Sequence, residues 1–130
     1  MKGRINISSG TAWEDAVGYS RAVRVGGIVV VAGTTAVDEK GRVVGAGDLY
    51  AQTRFVLGKI ERALAQAGAS IADVVSTRSF ITDMSRWEEF GRAHGEIFRD
   101  IRPTSTLVEV KGLVRPDLLI EIEAMAIVGK

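Results

Sequence analysis

A chain of 130 residues is long enough for one domain with its own apolar core. The sequence contains no cysteine and a single histidine, which excludes disulfides, thiolate metal ligands and a metal site built from several histidines of one chain. Its 17 basic and 16 acidic side chains nearly cancel, so we expect no basic surface for nucleic acid.

Hydropathy argues against a membrane partner. No apolar stretch reaches the ~18–20 residues that span a bilayer. The N-terminus lacks the charged-then-apolar order of a signal peptide. We therefore expect a cytoplasmic protein, and we expect neither a metal nor a cofactor.

The first third of the chain predicts a loop and a hairpin. The loop from Ser8 to Gly18 is long enough to act as a lid, in which Trp13 either covers a ligand or packs on the surface. Residues 21–25 alternate between polar and apolar, and Gly26-Gly27 supplies a two-residue turn. Residues 28–32 form a continuous apolar run, which predicts a strand buried on both faces.

Two helices follow, with a strand between them. Helical spacing predicts a helix from Asp48, its N-cap, to Ala67, with Gly68 as its stop. Residues 74–81 predict a strand. The second helix begins where Ser85 and Glu88 form a capping box. One apolar stripe of this helix consists of Trp87, Phe90, His94, Ile97 and Phe98.

His94 is the one side chain that could serve a histidine-dependent hydrolase. Its place in an apolar stripe favours a packed, hydrogen-bonded histidine over a catalytic one. The sequence also has no Gly-x-Ser-x-Gly elbow that would supply a serine nucleophile.

The chain ends with strands at about 104–110 and 118–127. In the second strand, alternation divides the side chains between two faces. One face carries Ile120, Ile122, Ala124 and Ala126, and the other carries Leu119, Glu121, Glu123 and Met125. The first predicts the core. The second predicts a pocket or a contact with another subunit, because an unpaired buried carboxylate is expensive.

The order ββαβαββ predicts a single α+β domain, residues 1–130, in which two helices cover one face of a sheet. The other face would then carry the two acids and alternate residues of the apolar strand. Such a surface is better buried by self-association than left in water.

The last two strands also resemble a known family, the RidA/YjgF superfamily of small trimeric proteins, which includes the group named endoribonuclease L-PSP. Many of its members hydrolyse reactive enamines and imines. Typical members carry Pro-x-Arg-Ser-x-Val-Glu-Val and then Glu-Ile-Glu-Ala-x-Ala. The matching residues here are Pro103, Val108, Glu109, Val110, Glu121, Ile122, Glu123, Ala124 and Ala126.

The resemblance runs from about Tyr19 to Val128 and includes residues 31–33, 66–70 and 81–83. It implies a mixed six-stranded sheet with two helices on one face, the fold of the bacillus-type chorismate mutase. It also implies a homotrimer with a central barrel, whose small-molecule sites lie between subunits.

The same resemblance implies where the site lies. Glu121 would transfer a proton or position water, because partial burial beside Glu123 should raise its proton affinity. A structural carboxylate at the subunit interface is the alternative. Tyr19 would stack on a planar substrate or simply cover the hairpin. The backbone of Ala32 and Gly33 would approach the ligand.

One residue departs from the family pattern, because the position of the substrate-binding arginine falls on Ser105. That arginine is understood to hold a substrate carboxylate with two hydrogen bonds, which a serine cannot imitate. Ser105 and Thr106 could donate hydroxyls instead, although such residues also simply suit a strand. We therefore expect little or no activity on 2-imino acids unless another group holds the carboxylate.

Three other arginines are candidates for that role. Arg78 is the first, because it is a charge within a largely uncharged predicted strand. Arg102 and Arg115 flank the motif. The alternative for each is an ordinary surface arginine.

Two functions remain open. The first is an enzyme that adds water to a small enamine, an imine or a related reactive metabolite. The second is a non-catalytic trimer that binds a small metabolite and has lost deamination.

Overall fold

The structure is a computed structural model that describes residues 3–129. Its elements are β1 (Arg4–Ile7), α1 (Ala12–Val17), β2 (Ala22–Val25), β3 (Ile28–Thr35), α2 (Leu49–Gln66), β4 (Val74–Ile81), α3 (Trp87–Phe98), β5 (Thr104–Glu109) and β6 (Ile120–Ile127). Single turns of 3₁₀ helix at Ile71–Asp73 and Met84–Arg86 precede β4 and α3.

The strands form one six-stranded sheet in the order β1-β2-β3-β6-β4-β5. All neighbouring pairs are antiparallel except β4 and β5, which are parallel. The prediction of an α+β fold with a mixed six-stranded sheet is confirmed. The residues themselves predicted five strands, and β1 is the one missed, a four-residue edge strand with a short alternating pattern.

The N-terminal segment contains more structure than the sequence predicted. Residues 12–17 of the expected loop form the short helix α1, which ends at Gly18 with a φ of 88°. Glycine adopts this left-handed conformation without the steric cost that a Cβ would add.

The core lies between the sheet and the helices. Helix α2 begins as predicted, with the Asp48 carboxylate accepting a hydrogen bond from the Ala51 N–H at 2.9 Å, and the chain leaves it at Gly68, whose φ is 79°. The apolar face of β6 packs beneath the helices, as the alternation predicted. The buried residues of these two elements include Val56, Leu57, Ile60, Leu64, Ile120, Ile122, Ala124 and Ala126.

Within residues 3–129, no helix covers the opposite face of the sheet. Its exposed apolar residues, which the strand register places side by side, are Val25, Ile28, Val30, Met125 and Ile127. We call this set the open face. Val30 is 51% exposed, so the prediction that residues 28–32 are buried on both faces is wrong for the single chain. Leu119 also differs from expectation, because it precedes β6 and packs against the core.

The start of α3 differs from the predicted capping box. The Asp83 carboxylate accepts hydrogen bonds from the N–H (3.0 Å) and the hydroxyl (2.6 Å) of Ser85. This contact caps the 3₁₀ turn, which delays the start of the α-helix to Trp87 and leaves Glu88 exposed. Trp87 is 53% exposed and does not join the predicted apolar stripe.

A buried amide connects α2 to two loops. Gln52 is fully buried, and its Nε2 donates to the carbonyls of Asp117 (3.0 Å) and Gly45 (3.3 Å). Its Oε1 accepts from the Leu119 N–H at 2.8 Å. Gln52 therefore fixes the glycine-rich loop and the segment that leads into β6.

Replacing Gln52 by Leu should destabilise the fold by ~2–4 kcal/mol, because leucine fills the space but leaves buried backbone groups without partners. Urea unfolding measures this difference. The matched control is Gln66→Leu at the exposed end of the same helix. Equal unfolding midpoints for the two variants would contradict the role given to Gln52.

Candidate functional site

A β-bulge lies at the centre of the candidate site. Val31 pairs with Ala124, but the next paired residue of β3 is Thr34, opposite Ile122. Ala32 and Gly33 therefore occupy the length of one residue on β6. Bulges bend a strand and change the direction of neighbouring side chains.

Glu121 packs directly over this bulge. A Cβ built on Gly33 would come 3.0 Å from the Cδ of Glu121, so the carboxyl occupies the space that any other residue would fill. Glu121 is half-buried. Burial, and then the charge of Glu123, raise the pKa of the Glu121 carboxyl, while Arg21 opposes the rise. The bulge therefore holds a carboxyl group that keeps its proton to a higher pH than an ordinary glutamate.

Arg21 contacts the other side of the same glycine. Its Nη2 donates to the Gly33 carbonyl at 2.6 Å, and its Nε is buried without a hydrogen-bond partner among residues 3–129. Burial lowers the pKa of the guanidinium, and Tyr19, Glu14 and Glu121 act in the opposite direction. Arg21 was not among the residues predicted from the sequence. The available signal was a charge at the start of the predicted hairpin strand.

Lys59 of α2 fixes the strand beyond the bulge. Its Nζ donates to the carbonyls of Thr35 (2.8 Å) and Val37 (2.9 Å). Burial, with the nearby charges of Arg21 and Arg62, lowers the pKa of Lys59 to about 8. Both cations beside the bulge are thus partly withdrawn from water.

The N-terminal loop is fixed by a buried acid. Glu14 is almost completely buried and accepts hydrogen bonds from the Ser8 hydroxyl (2.8 Å), the Ser9 N–H (3.0 Å) and the Ser9 hydroxyl. Burial alone would raise its pKa, but these hydrogen bonds hold the pKa of Glu14 below its ordinary value. Its neighbour Trp13 is 61% exposed on α1, and Tyr19 is 40% exposed. A lid role for Trp13 stays a prediction.

Arg78 lies on the same side of the sheet as Glu123. Its Nε is 3.3 Å from Glu123 Oε1, and strand pairing places it between Glu123 on β6 and Thr106 on β5. Arg78 therefore already has an acidic partner. This contact is the ordinary ion pair considered as the alternative to ligand binding.

Ser105 lies apart from Glu121 within one chain. It is an exposed residue of the edge strand β5 and pairs with the buried Thr77, whereas Thr106 pairs with the exposed Arg78. Ser105 and Thr106 thus belong to opposite faces, and β4 separates both from Glu121. One chain alone does not bring the motif serine and the acid together.

The two flanking arginines have local structural contacts. Arg102 adopts a left-handed φ of 60°, and its N–H donates to the Phe98 carbonyl at 2.8 Å, which ends the turn after α3. Arg115 donates to the Gly41 carbonyl at 2.7 Å.

His94 is packed, as the sequence predicted. Its ring lies between those of Phe90 and Phe98, with centroid distances of 5.2 and 4.6 Å, and its Nε2 is 2.9 Å from the Thr77 hydroxyl oxygen. Burial lowers the pKa of His94.

Comparison with known proteins identifies the family. The family described as endoribonuclease L-PSP matches residues 10–128. This chain belongs to the L-PSP/YjgF family. Rv2704 of Mycobacterium tuberculosis, a YjgF/YER057c/UK114 member of known structure, is 54% identical. Its TM-score is 0.87, over 96% of this chain and 99% of that one.

Two other relatives are similar to most of this chain. The protein SCO2049 of Streptomyces coelicolor is 39% identical over 124 residues, which cover 95% of this chain and 91% of that protein. The 3-aminoacrylate deaminase RutC of Acinetobacter baylyi is 40% identical over 108 residues, which cover 83% of this chain and 85% of the enzyme.

Two further observations concern the described residues alone. Between residues 3 and 129, no three His, Asp or Glu side chains are grouped so that they could hold a metal ion. No helix in that range has the length and apolar character needed to cross a bilayer.

Proposed function

We propose that this chain hydrolyses small enamines and imines and releases ammonia. The observation that carries the proposal is the Glu121 carboxyl, half-buried against Gly33 and with a raised pKa. A general acid works best when its pKa lies near the working pH. Membership of the family that includes a named 3-aminoacrylate deaminase supports the same chemistry.

The reaction is a hydrolysis. An enamine first gains a proton on carbon and loses one from nitrogen, and so becomes an imine. Water then adds to the C=N bond, its oxygen to carbon and one proton to nitrogen, and gives a carbinolamine. The C–N bond breaks as the nitrogen takes up a proton and the hydroxyl group gives one up, so that a carbonyl compound and ammonia leave. In this scheme Glu121 donates the proton that the leaving nitrogen needs, and Gly33 permits the close approach of a small planar substrate.

We also propose that the active form is a homotrimer. The open face is a continuous apolar surface on an otherwise well-packed domain, and such surfaces are usually buried by association. Assembly through this face would explain why Ser105 and Glu121 lie apart within one chain. In the trimer, the edge strand of one subunit would complete the site beside the bulge of the next.

The direct test of this function is ammonia release. A dehydratase generates 2-aminoacrylate or 2-iminobutanoate in situ, and the ammonia released is measured with and without the protein. We expect faster release with the protein. A rate equal to that in buffer would leave the second candidate, a metabolite-binding trimer without deaminase activity, which Ser105 at the motif position favours.

Ser105 should make a modest contribution to this activity. Ser105→Ala removes one neutral hydroxyl, so we expect ammonia release to fall only ~3–10-fold. Thr106→Val in parallel shows which of the two hydroxyls faces the substrate. A loss of more than 100-fold for Ser105→Ala would mean that the hydroxyl takes part in the chemistry itself.

A further inference from the structure

The guanidinium of Arg21 is an incompletely satisfied charge beside the acid. In the part of the chain that the structure describes, the Arg21 side chain makes one hydrogen bond, to the Gly33 carbonyl, and its Nε is buried without a partner. Within residues 3–129, all five ion pairs use other arginines, so Arg21 has no carboxylate oxygen within 4 Å there. Withdrawing a cation from water without an anionic partner is costly.

The nearby acids do not satisfy this charge. The Glu14 carboxylate is already occupied by the hydroxyls of Ser8 and Ser9 and by the Ser9 N–H. Glu121 interacts with Arg21 only as a neighbouring charge, and burial, which raises the pKa of Glu121, disfavours the charged form that would neutralise Arg21. The Nη1 of Arg21 makes no hydrogen bond to another described residue, so the Nη1 hydrogens of the guanidinium can still be donated to a ligand.

We propose that Arg21 binds the carboxylate of the substrate, in place of an arginine at position 105. This inference rests on the proposed function and specifies its substrate class as a small acid that carries the enamine or imine next to its carboxylate. Nη1 and the second hydrogen of Nη2 can bind two carboxylate oxygens side by side, the arrangement for which arginine is best suited.

The geometry around Gly33 supports this assignment. Arg21 binds the carbonyl of Gly33, and Glu121 covers the α-carbon of the same residue. The anion-binding group and the proton donor therefore lie on either side of Gly33. In a 2-imino acid, one carbon–carbon bond separates the carboxylate from the reacting carbon. A substrate held by Arg21 would therefore present its C=N group close to Glu121.

Ligand binding tests Arg21 independently of catalysis. The probe is 2-oxobutanoate, the product of 2-iminobutanoate hydrolysis, and butanone is the matched uncharged ligand. Calorimetry and the arginine Nε–H signals in ¹H–¹⁵N spectra follow both titrations. We expect the wild type to prefer 2-oxobutanoate, and Arg21→Gln to weaken its binding by ~10–100-fold with little effect on butanone.

Two further variants define the cause of the loss. Arg21→Lys keeps the positive charge but loses the planar guanidinium with its paired N–H donors, so its affinity for 2-oxobutanoate should be intermediate. Arg54→Gln removes an exposed arginine of α2 and should bind as the wild type does. Removing Arg21 should also raise the pKa of Glu121 further, since Arg21 opposes that rise, and a displaced pH profile of ammonia release reports this.

The outcomes separate the two proposals. Unchanged 2-oxobutanoate affinity in Arg21→Gln, or equal wild-type affinity for both ligands, overturns the assignment of Arg21. A change in sedimentation for this variant also overturns it, because the partner of Arg21 would then be an acid of a second copy. Arg21-dependent binding without ammonia release would instead refute the deaminase function and leave the anion site intact.

Discussion

Replacing Glu121 by Gln is expected to lower kcat for ammonia release by ~10²–10⁴-fold, the usual contribution of a positioned acid or base. Glutamine keeps the size and most of the packing of glutamate but transfers no proton. Because the carboxyl lies against the bulge rather than in open solvent, a buffer acid should restore little of the loss. Ammonia release by the wild type and the variant, measured side by side, gives the effect.

The pH dependence tests the same residue. Burial and the charge of Glu123 raise the pKa of Glu121, so its acid form persists above the ordinary range. If Glu121 donates the proton, kcat should fall as the pH rises through that pKa. The kcat of Glu121→Gln should not show this fall. A variant with the kcat and pH profile of the wild type would contradict the assignment.

Stability distinguishes a chemical effect from misfolding. A raised pKa in the folded state means that the folded chain binds more protons than the unfolded chain above the ordinary glutamate range. The contribution of Glu121 to stability is therefore fully present at low pH and is lost as the pH rises through the folded-state pKa. The uncharged Glu121→Gln variant should be at least as stable as the wild type at neutral pH.

Replacing Val30 by Asp is expected to convert the proposed trimer to monomers at micromolar concentration. Burying a valine contributes ~1.5–3 kcal/mol, and an unpaired carboxylate in the same place costs several more. In the proposed trimer, this loss would occur once in each of the three copies. Sedimentation velocity measures the resulting mass.

The control for this substitution lies on the helical side. Ala65→Asp adds the same charge to an exposed position of α2 and should leave the proposed trimer intact. Circular dichroism should show that both variants keep the native secondary structure. A wild-type chain that sediments as a monomer would contradict the trimer and the intersubunit site together.

The long periodic elements were predictable because each carries a strong local signal. Helix α2 has helical spacing over five turns, an aspartate at its start and a glycine at its stop, and β6 alternates without interruption. β1 and α1 were missed because four- and six-residue elements depend on contacts with distant residues. The cap of α3 was misplaced because a 3₁₀ turn intervenes before the helix.

The site was predictable only in part. Alternation within β6 placed Glu121 and Glu123 on the face opposite the core, and the structure agrees. Arg21 was missed because its burial depends on a bulge in another strand, and a register shift leaves no local mark on sequence periodicity. Whether Ser105 and Glu121 meet depends on contacts between chains, which no pattern within one chain specifies.

The extra residue in β3 has a consequence for how this protein could change over time. The acid is located by the backbone path and by the missing side chain of Gly33, neither of which depends on the identity of the side chains around it. Substitutions at the surrounding positions can therefore alter which compound is held without displacing Glu121, the proposed proton donor. Under the proposed mechanism, proteins that keep this bulge and Gly33 could act on different substrates through the same proton-transfer step.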